Sequence, residues 1–436
     1  MNVTAAAILA VVYGAVVVRQ VTGRGPGVWA IFLAGGFGMV ASGILPLPGA
    51  EGQVATSLPV LAFLFALFVF AGALERAGAI DHLARWLIGR ARRIEDLPFV
   101  LFVGFGLIAA VLVNDALVLL GVPLLIAVAR RLNAPATPFL LTLAFAVTVG
   151  SVLTPLGNPQ NLLVAISSGI RAPLAVFLRY LLLPTVVNLV AGGLLLRATF
   201  RRSLAPSASA YALERARAPP LFPSGGWYER LRVHPTLWIF PGTMLVLLTT
   251  DLLAELTRGA TVPIYAVVMA GAILTLLLTP SRRKVLASVD GSILLLFVGL
   301  FVVVGGAVSG GVMTALGSAT PLPSAVPPGT SSIGVLTVLS VGLCQVVSNV
   351  PFVALEIPVL HALGYGASSP IAWMALAAAS TLAGNLTLLG AASNLIVVQR
   401  AERHGVAIRL GEFVRIGLPM TALTVAVLVV ALTFGL

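Results

Sequence analysis

Side chains able to bind an ion or a small solute fall in four short runs, each inside an apolar stretch long enough to enter a membrane. Asn114-Asp115 interrupts 98–131, Thr154 to Asn161 interrupts 138–168, Ser348 to Pro351 interrupts 333–362, and Gly384 to Asn394 interrupts 370–399. The runs supply Asn114, Asp115, Thr154, Asn158, Gln160, Asn161, Ser348, Asn349, Asn385, Thr387, Ser393 and Asn394: amides, hydroxyls and one carboxylate, without a lysine or arginine. An opened helix N-terminus offers free N–H groups and partial positive charge to anions or electron-rich oxygens. Freed carbonyls and Asn or Ser oxygens suit a small cation or a hydroxyl hydrogen. An ionised carboxylate inside a bilayer is costly and functional by default, which makes Asp115 the expected coupling group for a proton or cation. Its alternative role is to cap the second helix of its hairpin. Glu356, seven residues beyond Asn349, is either a second titrating group or a structural hydrogen-bonding residue.

The elements that must carry these runs are membrane helices. Of 436 residues, 59% are hydrophobic and 9% charged, and the mean hydropathy of +1.08 exceeds what a soluble core requires. Uninterrupted spans are expected at 3–19, 28–46, 57–75, 173–196, 236–256, 263–279, 291–313 and 412–435. The first reads as a retained helix and not a signal peptide. The net charge of +12 comes from arginines between spans, where they orient the chain in a bilayer; nucleic-acid binding is not expected. Cys344 is the only cysteine, which excludes an intramolecular disulfide and a thiolate metal site. Neither HExxH nor GxSxG lies within a span, so no catalytic residue and no metal is assigned. No Gly-rich lysine motif for ATP is present, so energy must come from a gradient of H⁺ or Na⁺, or from a soluble ATPase partner; no organic cofactor is called for.

Arginine placement predicts topology. Residues 197–232 hold seven arginines against Glu214 and Glu229, with Pro219, Pro220 and Pro223 marking an irregular cytoplasmic linker, whereas 285–399 hold no Lys or Arg. Loops 47–56, 257–262 and 314–332 then lie outside, and 98–131 must enter and return on the cytoplasmic side as a re-entrant hairpin, 333–362 doing the same from outside. Residues 80–93, with four arginines, read as an amphipathic surface helix. The halves repeat. Thr154, Gly157 and Asn161 recur as Thr387, Gly390 and Asn394, 233 positions on; Asn114 and Pro123 recur as Asn349 and Pro358, 235 on. Matched spans run in opposite directions, so the expected fold is all-α and polytopic, with two inverted repeats (1–200 and 236–436, joined by the linker 201–235), each with a re-entrant hairpin and a discontinuous helix. Such halves suit alternating access to a central site.

At VNDALVLLGVPLLIAVARR (113–131), GSVLTPLGNPQNLLV (150–164), SNVPFVALEIP (348–358) and STLAGNLTLLGAASNLIV (380–397) the chain resembles the ion transporter superfamily, which includes arsenite permeases, citrate and divalent-anion symporters and sodium–proton antiporters. The resemblance covers essentially the whole chain and implies that hairpin tips and helix breaks hold substrate and ion: Asn114, Asp115, Gly157, Asn158 and Asn161 from the first half, Ser348, Asn349, Thr387, Gly390, Ser393 and Asn394 from the second. Thr154 joins them from the residue reading. The tips here read Val113-Asn114-Asp115 and Ser348-Asn349-Val350 where dicarboxylate symporters show Ser-Asn-Thr, which is more like the arsenite permease branch. The expectation is a proton-coupled carrier of a small oxyanion or metalloid in the inner membrane, with a sodium-coupled carrier of citrate or another dicarboxylate as the alternative. Relatives often dimerise, so a homodimer in the lipid bilayer is a further expectation.

Overall fold

The structure is a computed structural model and describes residues 1–22, 24–216, 232–257, 261–319, 322 and 330–435. Among the described residues all regular structure is helical. The first half contains α1 (Val3–Thr22), α2 (Val28–Ala41), α3 (Leu47–Arg76), α4 (Ala79–Arg90), α5 (Leu97–Ala109), α6 (Asn114–Arg131), α7 (Thr137–Gly150), α8 (Pro159–Ser167), α9 (Pro173–Leu204) and α10 (Ala208–Ala216). The second contains α11 (Thr236–Thr257), α12 (Ile264–Leu278), α13 (Arg282–Leu286), α14 (Gly291–Ser309), α15 (Val312–Ala319), α16 (Thr330–Val347), α17 (Asn349–Ala362), α18 (Pro370–Leu382), α19 (Ala392–Arg403) and α20 (Leu410–Phe434). By length and composition five helices can cross a membrane: α3, α9 with its extension into α10, α11, α14 and α20. Leu182, Leu183, Val190, Leu245, Leu253 and Leu418 point outward from three of them, as a lipid-facing surface requires.

Every expected interruption is present. Helices α5 and α6, and α16 and α17, form the two hairpins; α7 and α8, and α18 and α19, form the two broken helices, each continued by a single 3-10 turn at Ser151–Leu153 or Ala383–Asn385. Apolar on all sides, α7 and α18 are buried along nearly their full length and make the centre of the molecule. Alanines on α18 and the glycine pair Gly106 and Gly150 let backbones approach there; a Cβ on Gly150 would run into the Gly106 backbone. Contacts come in matched pairs. Helix α5 packs on α7 as α16 packs on α18; α6 of the first half packs on α19 of the second, while α17 of the second packs on α8 of the first. Likewise α3 lies on α12 and α14 on α2.

Three expectations require correction. Residues 314–332, read as an outside loop, begin inside α15 (Val312–Ala319) and end inside α16, which starts at Thr330. Residues 47–56, read as an outside loop, are the first turns of α3: Pro48 sits where a helix tolerates proline, and the alanines and Glu51 and Gln53 that follow are helix formers. The arginine-rich segment after residue 197 is not irregular at its start, because α9 runs on to Leu204 and α10 follows; Pro219, Pro220 and Pro223 lie outside the described residues.

Candidate functional site

The first hairpin turns at 110–113, and its tip is stitched to the break in the neighbouring helix. Asn114 donates its backbone N–H to the Gly157 carbonyl at 2.9 Å, and the Thr154 hydroxyl donates to the Ala110 carbonyl. Asn114 Oδ1 accepts from the Asp115 N–H at 2.9 Å. Breaking α7 after Leu153 leaves its last carbonyls without intrahelical donors, and asparagines supply them. Asn161 Nδ2 is shared among the carbonyls of Ser151 (2.9 Å), Thr154 (3.1 Å) and Val152 (3.3 Å). Asn158, extended at φ −158°, caps α8 by accepting from the Asn161 N–H at 2.8 Å, with Pro159 at the first helical position. Gly157 is a steric necessity, since a Cβ there would lie 2.6 Å from Ser151 Cα.

A residue of the other half completes this network. The Thr381 hydroxyl on α18 accepts from Asn158 Nδ2 (3.2 Å) and Gln160 Nε2 (3.3 Å), and donates its hydrogen between Asn161 Oδ1 (3.1 Å) and the Ala377 carbonyl (2.7 Å).

The second half repeats the stitching with different parts. At position 345, which matches Ala110 at the offset of 235 seen for Asn114 and Asn349, stands Gln345: its Oε1 accepts from the Thr387 hydroxyl at 2.8 Å and its Nε2 donates to the Ala383 carbonyl at 2.8 Å. Asn394 Nδ2 donates to the carbonyls of Gly384 (2.6 Å) and Thr387 (3.3 Å). Gly390 again has no room for a side chain, its Cβ position being 2.9 Å from the Ala383 carbonyl oxygen. Yet the second half is left unsatisfied. Asn349 Oδ1, Ser393 Oγ, Asn394 Oδ1 and both amide atoms of Asn385 are buried without a hydrogen-bond partner, whereas the matching Asn114 and Asn161 oxygens are both bonded. Ser348 alone makes the second tip, at φ 69° and ψ 163°, a conformation that is essentially glycine's own and costs about 1–3 kcal/mol for a side-chain-bearing residue.

Between the tips lies a cavity of about 300 Å³ whose polar wall includes Asn114, Asp115, Gln160, Ser348, Asn349 and Ser393, with Arg19, Asp290 and Gln399 further along it, closed by Ile293, Leu296, Phe297 and Ile396. A second cavity of about 590 Å³ shares Asp115, Asp290, Ile293 and Ile396 with it and extends to Glu75, Asp81 and Arg400. Asp115 therefore stands where the two meet.

Residues 15–383 match the sequence profile of CitMHS, the citrate transporter family. The chain belongs to that family. It is 29% identical to the silicon efflux transporter LSI3 of Oryza sativa subsp. japonica, over 86% of this chain and 87% of that one. It is 34% identical to a transporter named arsB of Dictyostelium discoideum, over 33% of this chain and 25% of that one. The crystal structure of the Alcanivorax borkumensis YdaH transporter, described as having an unusual topology, superposes with a TM-score of 0.54 at 16% identity, covering 90% of this chain and 89% of that one, a likeness of fold. The protein is thus a multi-pass membrane secondary transporter.

In this transporter the expected site residues divide into two shells. Asn114, Asp115, Ser348, Asn349 and Ser393 line the cavity between the tips. Thr154, Gly157, Asn158, Asn161, Thr387, Gly390 and Asn394 stand behind it and hold the two breaks open. Among the described residues, the Asp115 carboxylate takes no hydrogen bond from its own helix and faces the cavities, so it does not act as the cap considered above. The expectation of a pocket free of basic residues is incomplete: Arg19 lines the first cavity and Arg400 the second. Glu356 is buried with Oε1 unpartnered and lines neither cavity. Reading by residue type missed Thr381, Gln345, Asp290 and Arg19. A signal existed for the first: Thr381 lies 233 positions after Thr148, the offset of the break itself.

Proposed function

We propose that this transporter moves a small, neutral polyhydroxy acid of a metalloid, such as arsenous or silicic acid, by proton-coupled alternating access. The observation that carries this reading is the surplus of acceptor oxygens in the second half. Asn349 Oδ1 and Ser393 Oγ, on residues that line the cavity, are free; behind them Asn394 Nδ2 is held by two carbonyls, which leaves its Oδ1 without a partner. Buried acceptors without donors are unfavourable unless a ligand supplies hydrogens. A neutral hydroxy acid supplies several O–H donors, whereas a fully ionised carboxylate brings more acceptors. The resemblance to transporters named for silicon efflux and arsB supports the same ligand class. Asp115, on the wall common to both cavities, takes up a proton from one side and releases it to the other as the site changes exposure. Residues 1–200 and 236–436 serve as the inverted repeats whose exchange of conformations produces that change, in the inner membrane.

The test is counterflow of arsenous and silicic acid in proteoliposomes with and without a pH gradient. Saturable exchange driven by the gradient, and lost in Asp115→Asn, is the expected result; gradient-independent flux that survives the substitution sinks the proposal. One observation favours a second reading, a sodium-coupled carrier of citrate: Arg19 and Arg400 on the cavity walls supply positive charge for carboxylates, while Asn114, Asn161, Asn349 and Asn394 offer oxygens to sodium. Citrate uptake that requires sodium would establish it instead.

A further inference from the structure

A third cavity, about 580 Å³ in volume, shares no lining residue with the two at the hairpin tips. It is built by the end of α4, the 3-10 turn Ile94–Asp96 and α10. Its walls are fixed. The buried Tyr211 hydroxyl lies 2.7 Å from the Ile88 carbonyl and 2.8 Å from the Ala91 carbonyl, clamping α10 across the C-terminal end of α4, and Arg215 Nη1 reaches the Arg92 carbonyl at 3.3 Å.

Among the described residues three arginines line this cavity, Arg92, Arg93 and Arg215, with one acidic residue, Glu95. Asp96, next to Glu95 in the chain, is already engaged by Arg197 at 2.9 Å. Among the described residues no carboxylate stands within ion-pair distance of Arg92, Arg93 or Arg215. Beside the cavity on α4, the Arg90 guanidinium lies 4.7 Å from the ring centre of half-buried Trp86, a pair of residue types typical of the headgroup level of a bilayer. By arginine distribution this is the cytoplasmic side.

We infer that this arginine-lined cavity binds a phosphate group, as a phosphodiester or phosphomonoester, on the cytoplasmic face. Guanidinium forks match phosphate oxygens in pairs, and clustered arginines favour phosphate over a single carboxylate ligand. The group comes either from an anionic phospholipid, as basic cytoplasmic pockets of membrane proteins provide for, or from a free phosphate compound. Because α4 joins α3 to the first hairpin, an occupant here would brace the connection on which that hairpin turns.

The experiment measures thermal unfolding of the purified full chain in detergent, with phosphatidylglycerol, phosphatidylcholine or inorganic phosphate added, on the native protein, Arg92→Gln/Arg93→Gln, Arg92→Lys/Arg93→Lys and a control, Arg282→Gln, placed outside the cavity. Stabilisation by phosphatidylglycerol and not phosphatidylcholine identifies a lipid; stabilisation by inorganic phosphate alone identifies a free compound. In either case the double glutamine variant is expected to weaken apparent affinity roughly 30-fold, on the basis of about one charge interaction per arginine. The lysine variant retains part of the effect, and Arg282→Gln behaves as native. No stabilisation by either additive, or stabilisation undiminished in the glutamine variant, overturns the inference. Neither outcome depends on what the protein transports.

Discussion

Replacing Thr381 with valine keeps the side chain's shape and deletes one hydroxyl that touches three side chains of the other half. Asn158 Nδ2 would retain Ser151 O and Oγ at 3.2 and 3.1 Å, and Gln160 lines the cavity between the tips and is not sealed in the core. Asn161 Oδ1 has no such substitute: it is fully buried, and Thr381 is the donor it uses. One orphaned buried acceptor costs about 1–3 kcal/mol, and hydrogen bonds between membrane helices fall toward the lower end. The expected loss is therefore about 1–2 kcal/mol. Ser380→Ala is the control, because that equally buried hydroxyl bonds only its own helix at Ala377; it should cost under about 0.5 kcal/mol. Reversible unfolding in mixed micelles measures both. The cycle with Asn161→Ala should return a coupling of about 1 kcal/mol, and none for Ser380. Thr381→Val within about 0.3 kcal/mol of native, or a coupling near zero, would refute the idea that this hydroxyl joins the halves.

Ser393→Ala should leave unfolding free energy unchanged or slightly raised, since its hydroxyl has no partner, while reducing substrate counterflow; a clear loss of stability would mean the hydroxyl is structural. Ser348→Gly should relieve the left-handed tip and raise stability by about 1 kcal/mol in the same unfolding assay. Gly157→Ala should cost more than about 2 kcal/mol because the new methyl overlaps the Ser151 backbone, whereas Gly342→Ala, where nothing lies within 4 Å, should be tolerated; size-exclusion profiles and melting curves separate the two. Asp251→Ala should lose about 1–2 kcal/mol, because Asp251 Oδ2 accepts from the Ala175 N–H at 2.7 Å and so caps the start of α9 from another helix.

The broken helices and hairpins were legible because glycine, proline and asparagine interrupt otherwise apolar runs, and because the interruptions recur at a constant offset. What residue types could not separate is the division of labour inside each run. Asn158, Asn161 and Thr154 look like binding groups, but a chain that breaks a buried helix must first supply donors for the carbonyls it has freed, and these residues are consumed by that demand. Asn349 and Ser393, of the same chemical types, keep an unpartnered oxygen and line the cavity. Thr381 and Gln345 escaped notice because threonine and glutamine within helices ordinarily bond their own turn, and their roles arise only when α18 meets α8 and α16 meets the second break. The start of α3 was missed because polar residues within a helix resemble a loop when only hydropathy is weighed.

The unequal finish of the two breaks bears on how such a carrier can be retuned. Where the asparagines of the first break close on the chain itself, a replacement costs stability before it can alter selectivity. At 349 and 393 the side-chain oxygens on the cavity wall owe nothing to the fold, so new side chains there trade one cargo for another at little structural risk. A directed search for altered cargo belongs on the second copy, with the first left untouched as its chassis.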